Sequence, residues 1–141
     1  MGRGPAVGVT VLLDTHALLW WQAGGGRLSR AATNAIDAAD AVLVSPLTCW
    51  EVSTLHRLGR IVLDREPATW IRDLLASDRI VTAPISPEAA TWAGSLDEAF
   101  PGDPIDRLLY ATARDRRVPL VTKDERLHAF AASGREVGVI W

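Results

Sequence analysis

Apolar residues fall along the chain in two alternating textures. Short runs without polar interruption, Val9–Leu13, Ala41–Ser45, Ile80–Ala83, Val118–Val121 and Val137–Ile140, read as strands apolar on both faces. Longer amphipathic stretches between them read as helices. These are Thr15–Gln22, a helix capped by Ser29 and running through Ala39, Leu47–Leu58, Pro67–Ala76, a helix opened by Ser86-Pro87-Glu88 and reaching about Ala99, Asp103–Arg116 and Asp124–Ala132. Gly24-Gly25-Gly26 and Gly59 end the first and third of these. Strand alternating with helix predicts an α/β fold of three layers, with a short, mostly parallel central sheet of about five strands flanked by helices. Residues 1–8, rich in Gly and Pro, read as a flexible tail. Residues 9–141 contain no repeat, linker or low-complexity segment and read as one domain.

Composition narrows the class. The 141 residues are 48% hydrophobic and 23% charged, a globular balance that excludes a disordered or fibrous chain. A single cysteine, Cys49, excludes a disulfide framework and a cysteine zinc site, and fits a reducing, cytoplasmic home. No apolar run approaches the length of about 18 residues that a membrane span needs, and the run Val7–Leu13 stops at Asp14 without a signal-type cleavage site. The net charge of −2 argues against a surface that grips nucleic acid everywhere. It leaves room for a local basic patch and for carboxylates gathered in one place.

The carboxylates stand where an open α/β sheet builds its sites, beyond the carboxyl ends of strands. Asp14 directly follows the first strand, and Asp124 follows the strand ending at Val121. Both are also natural N-caps for the helices they precede. Glu51 falls, at helical rotation, in the middle of a stripe formed by Leu47, Leu55 and Leu58. A carboxylate on a core-facing stripe is costly unless it is paired or binds a cation, so the plain alternatives are a salt bridge to one of 14 arginines or a helix turned to put Glu51 on the rim. In Gly102-Asp103-Pro104-Ile105-Asp106, Asp103 has the position of an N-cap, Pro104 of N1 and Asp106 of N3. Asp106 also lies beside Leu109 and Ala113, at the edge of that helix's apolar face. Four carboxylates at one sheet end repel one another unless a cation neutralises them, and an all-oxygen set suits Mg²⁺ or Mn²⁺ rather than zinc.

Four segments carry a resemblance. They are Leu12-Leu13-Asp14-Thr15-His16-Ala17, Ser45-Pro46-Leu47-Thr48-Cys49-Trp50-Glu51-Val52, Asp103-Pro104-Ile105-Asp106-Arg107-Leu108-Leu109-Tyr110-Ala111 and Leu120-Val121-Thr122-Lys123-Asp124. In this order and spacing the chain resembles PIN-domain ribonucleases, in particular the VapC-like toxins of type II toxin–antitoxin systems. The resemblance implies a PIN fold over 9–141 and an endoribonuclease that hydrolyses RNA phosphodiesters to 5′-phosphate and 3′-hydroxyl ends. It implies Asp14, Glu51, Asp106 and Asp124 as catalytic and metal-binding acids for Mg²⁺ or Mn²⁺, and Asp103 as a further acid found in one subgroup. That subgroup often has His-Arg before the Asp-Pro, where this chain has Pro101-Gly102. A homodimer and a cognate antitoxin protein are implied as well.

Thr15 and Thr122 flank these acids and are candidates for orienting carboxylates or water. Arg107, Arg114, Arg116, Arg117 and Lys123 are candidates for RNA phosphates, with Arg114 and Arg116 equally explicable as a solvated helix face. His16 and His56 are read as structural or substrate-facing and His128 as a surface residue. The six tryptophans are read as core or interface rather than base platforms, with Trp20 and Trp21 as a docking surface. Two rivals are a PIN-fold protein without catalysis, which the retained acids disfavour, and a receiver-type phospho-acceptor domain. The second needs an aspartate after the middle strand, where this chain has Ser45.

Overall fold

The computed structural model describes residues 8–134 and 136–141. The expected tail lies, Gly8 apart, outside the described residues. The strands are β1 (Thr10–Leu13), β2 (Ala41–Val44), β3 (Ile80–Thr82), β4 (Leu120–Val121) and β5 (Val139–Ile140). The helices are α1 (Thr15–Gln22), α2 (Arg30–Ala38), α3 (Pro46–Arg57), α4 (Pro67–Leu75), α5 (Pro87–Ser95), α6 (Pro104–Arg116) and α7 (Glu125–Gly134). The strands form one sheet in the order β3-β2-β1-β4-β5, and every pairing is parallel.

Alternation along the strands sorts the core into two layers. Val11, Leu13, Val42, Val44 and Val121 face one side, where they pack with Ala17 and Leu18 of α1, Ala32 and Ile36 of α2 and Leu74 of α4. Leu12, Leu43 and Leu120 face the other, against Tyr110 and Ala113 of α6 and Leu127 and Ala131 of α7. Ala89 and Ala93 bring α5 onto Ala111 of α6. Burial on both faces is why β1, β2 and β4 carry no polar alternation, whereas the edge strand β3 leaves Val81 and Thr82 exposed.

Two helices depart from the sequence expectation. The fifth helix, α5, expected to reach about Ala99, stops at Ser95. The Arg107 guanidinium takes the carbonyls of Leu96 (2.5 Å) and Asp97 (2.9 Å), and Asp97 Oδ1 accepts from Ala99 N–H (2.9 Å), so the chain turns instead of continuing. On α3 the fully buried side chains are Thr48 and Val52. The leucine stripe expected to face the core is turned outward: Leu47 and Leu55 are half-buried and Leu58 is 50% exposed. Small β-branched groups let α3 approach the rest of the molecule closely, and the leucines cover its flank.

The chain order fixes a position for chemistry. From β1 the chain moves outward through β2 to β3, then returns to the other side of β1 for β4 and β5. The reversal falls between β1 and β4, paired at Leu12↔Leu120 and Leu13↔Val121. At such a switch point the loops beyond two adjacent strand ends diverge and leave a crevice.

Candidate active site

The crevice at the switch point is a cleft of about 270 Å³ lined chiefly by Asp14, Glu51, Asp103, Asp106, Thr122 and Asp124. His16, Trp20 and Lys123 stand at its wall. All five acids singled out in the sequence therefore reach one place, from β1, α3, α6 and β4.

Asp14 leaves β1 with its N–H on the carbonyl of Val121 (3.1 Å), so the β1–β4 ladder runs to the edge of the site. Its Oδ1 accepts from Ala17 N–H (2.8 Å) and caps α1. The capping reading and the site reading hold together. Burial pushes the Asp14 carboxyl above its usual range, against the opposing pull of hydrogen bonds from Thr122 and Ala17.

Glu51 is half-buried and accepts a hydrogen bond from the hydroxyl of Thr15, which is 2% exposed. Among the described residues no arginine pairs with it. The rim position, not the centre of a core stripe, is what the outward turn of α3 produces.

At the start of α6, Asp103 Oδ1 accepts from Asp106 N–H (2.9 Å) and Asp106 Oδ2 accepts from Asp103 N–H (3.2 Å), a reciprocal capping box. The box holds two carboxylates side by side. Burial, then the neighbouring charge of Asp103, then that of Glu51, push Asp106 up to about 7. The cluster thus resists holding all its negative charge at once.

Beyond β4, Thr122 is fully buried. Its hydroxyl oxygen accepts from Asp124 N–H (3.2 Å), and its side chain lines the cleft beside Asp14. His128, expected at the surface, is half-buried with Nε2 2.8 Å from the Thr122 carbonyl. A carbonyl only accepts, so His128 carries its proton on Nε2 and pins this loop. Nothing in the local sequence distinguishes this histidine, because its partner sits across the loop. Asp124 is the outlier. Its Oδ2 meets Arg126 Nη2 at 3.1 Å, and the Arg126 guanidinium holds its carboxyl below the usual range.

The expected phosphate ligands divide. Arg107 is not free for RNA: besides its two carbonyl bonds, its Cζ lies 5.3 Å from the Phe100 ring centroid. Arg114 sits over Trp92 at 4.2 Å and pairs with Glu136 at 2.6 Å, away from the cleft. Arg117 terminates α6 in the left-handed region at φ 57°. Lys123 is exposed at the cleft wall. Trp21, expected on a docking surface with Trp20, packs against the core under Arg79.

The donor set is all oxygen and anionic, which fits a hard divalent ion. Among the described residues, no three His, Cys, Asp or Glu side chains stand close enough to hold one ion in common. Ligation therefore requires side-chain rearrangement, with release of Asp124 from Arg126 if Asp124 is to take part.

Comparison with known proteins agrees with this geometry. A family model described as PIN domain matches residues 11–133. Ribonuclease VapC22 of Mycobacterium tuberculosis (strain ATCC 25618 / H37Rv) is 42% identical over 120 residues, covering 85% of this chain and 91% of that protein. Among solved structures, a toxin–antitoxin complex from Klebsiella pneumoniae matches with a TM-score of 0.56 and 22% identity over 81% of this chain and 86% of that one. VapC20 of Mycobacterium tuberculosis, a sarcin–ricin loop cleaving toxin, matches with a TM-score of 0.59 and 15% identity over 84% of this chain and 94% of that one. The matched span contains every acid of the cleft, the sheet is the one these folds share, and the chain belongs to the PIN-domain family.

Proposed function

We propose that this chain is a divalent-metal-dependent endoribonuclease, the toxin of a VapBC-like toxin–antitoxin pair, that hydrolyses RNA phosphodiester bonds at the switch-point cleft. The observation that carries the proposal is the meeting of Asp14, Glu51 and Asp106 from three separate elements, with Asp14 and Asp106 both held above the usual carboxylate range. The naming of the relative VapC22 as a ribonuclease supports the reaction class. The Klebsiella complex supports an antitoxin partner.

Asp14, Asp106 and Glu51 are the proposed ligands of Mg²⁺ or Mn²⁺, with Asp124 joining once freed and Asp103 in reserve beside Asp106. A bound ion supplies a more acidic water and offsets negative charge on the scissile phosphate. The protein's share is positioning. Thr15 fixes the Glu51 carboxylate through one oxygen, leaving the other for water or a ligand. Asp14 is tied to β4 by its N–H on the Val121 carbonyl, and Thr122, next along the chain, holds the loop that carries Asp124. A cation bound at these raised carboxyls would displace their protons and relieve their crowding, so binding would be coupled to proton release. Cys49 packs against the core cluster of β1, α1 and α2 rather than the cleft, so no covalent route through a thiol is available.

A homodimer and a cytoplasmic location complete the reading. Among the described residues no helix is long and apolar enough to cross a membrane. The test is cleavage of RNA with Mg²⁺ or Mn²⁺, with and without chelator, by the wild type and Asp14→Asn. Cleavage that stops in chelator and in the variant is expected; cleavage surviving either treatment rejects the assignment.

A further inference from the structure

A second cavity adjoins the cleft. It is a groove of about 690 Å³ between α1 and the segment after α3, and it shares His16 and Trp20 with the carboxylate cleft. The two differ in charge. The cleft carries five acids against Lys123. The groove carries Arg27, Arg60 and Arg65 against Asp64 alone. Arg65 is held by Asp64 (2.8 Å) and Asp73 (2.7 Å), which cancels that pair. Among the described residues Arg27, Arg60 and Lys123 form no ion pair, so the groove is left with a net positive wall.

Trp20 stands on the boundary. His16 and Trp20 lie one turn apart on α1, with ring centroids 5.6 Å apart. Trp20 is six residues beyond Asp14, so about 9 Å along the helix from the acid that caps it. Its indole is half-buried, braced by Trp141 at 5.6 Å, with Arg27 Cζ at 5.3 Å and Lys123 Nζ at 5.7 Å from the ring centroid. An aromatic ring with unpaired cations on it, between an acidic cleft and a basic groove, is the arrangement that holds single-stranded nucleic acid by one stacked base and its adjoining phosphates. A cation over a ring that water still reaches is a weaker contact than a stacked base, so a base displaces Arg27 or Lys123 and leaves them to the phosphates.

We infer that Trp20 is a positioning residue: an RNA base stacks on its indole next to the scissile phosphate, and the strand continues along the groove with its phosphates on Arg27 and Arg60. The inference rests on the ribonuclease reading for its substrate but not for its test. Binding is measured in chelator, where cleavage plays no part, with fluorescein-labelled single-stranded oligoadenylate and the same ribose–phosphate chain made abasic. Trp20→Ala is expected to weaken oligoadenylate about 5- to 100-fold, with recovery in Trp20→Phe and no change on the abasic chain. Arg27→Ala and Arg60→Ala are expected to weaken both chains alike and to reduce the salt dependence by about one phosphate contact each. Retained folding of each variant is checked by its melting curve. Binding that depends on Trp20 without cleavage in Mg²⁺ or Mn²⁺ sinks the nuclease reading and leaves the platform standing. The inference is overturned by any of three results: no binding in chelator, equal losses on base-bearing and abasic chains, or polyglutamate held as tightly as the RNA.

Discussion

Single atoms at the cleft serve two masters, and substitutions separate them. Asp14 Oδ1 caps α1 through Ala17 while the carboxylate faces the cleft. Asparagine keeps an oxygen for the cap and alanine does not. Asp14→Asn is therefore expected to abolish cleavage with stability nearly intact, and Asp14→Ala to lose about 1 kcal/mol besides, measured by denaturant unfolding. Thr15→Val keeps the shape of a buried residue but removes the hydroxyl that holds Glu51. The expected outcome is a fall in kcat of about tenfold with KM for RNA little changed, since one neutral-to-charged hydrogen bond contributes about 1.5 kcal/mol. A change confined to KM would show that Glu51 needs no such anchor.

At the scale of elements, Arg107 tests the division between scaffold and substrate. It closes the turn after α5 through two carbonyls and lies over Phe100. Arg107→Ala is expected to cost about 1–3 kcal/mol in unfolding while leaving RNA affinity within twofold. A variant of normal stability with impaired binding would return Arg107 to the substrate. The same turn shows what one sequence discloses. Both-face apolar runs located every strand, and the capping pattern around Asp103, Pro104 and Asp106 located α6 to within a residue. The end of α5 was hidden because a side chain eleven residues away captures its carbonyls. The facing of α3 was hidden because helical rotation gives relative angles only. Leucine was expected to mark the inside, but Thr48 and Val52 do. The acids of the cleft were legible because strand ends are fixed by chain order. His128 and the pairing of Asp124 with Arg126 were not, since both depend on how one loop folds back.

Over the whole molecule, the acid cluster sets a sign on pH dependence. A carboxyl with a folded-state pKa above its unfolded value binds more protons when folded, so its contribution is complete below about pH 4 and lost as pH rises through the folded value. For Asp106 that window runs from about 4 to about 7. Metal-free protein is expected to lose on the order of 1–2 kcal/mol across it, the full shift being trimmed because water reaches the carboxyl. Asp106→Asn should flatten this slope and raise the metal-free melting temperature at pH 7. Added Mn²⁺ should raise the melting temperature of the wild type, more at pH 7 than at pH 5, by the ordinary linkage of a ligand to the folded state. A metal-free profile that instead climbs from pH 4 to 7 would mean the acids are relieved by internal cations.

The pairing of β1 with β4 joins segments more than a hundred residues apart. While the ribosome is still making the chain, the first two strands can meet, but the loop bearing Thr122 and Asp124 does not yet exist. The crevice can close only once that loop has been made. Chains terminated before Leu120 are thus expected to lack the proposed cleavage of RNA, and a growing chain can gain it only after the segment from Leu120 to Asp124 has been made.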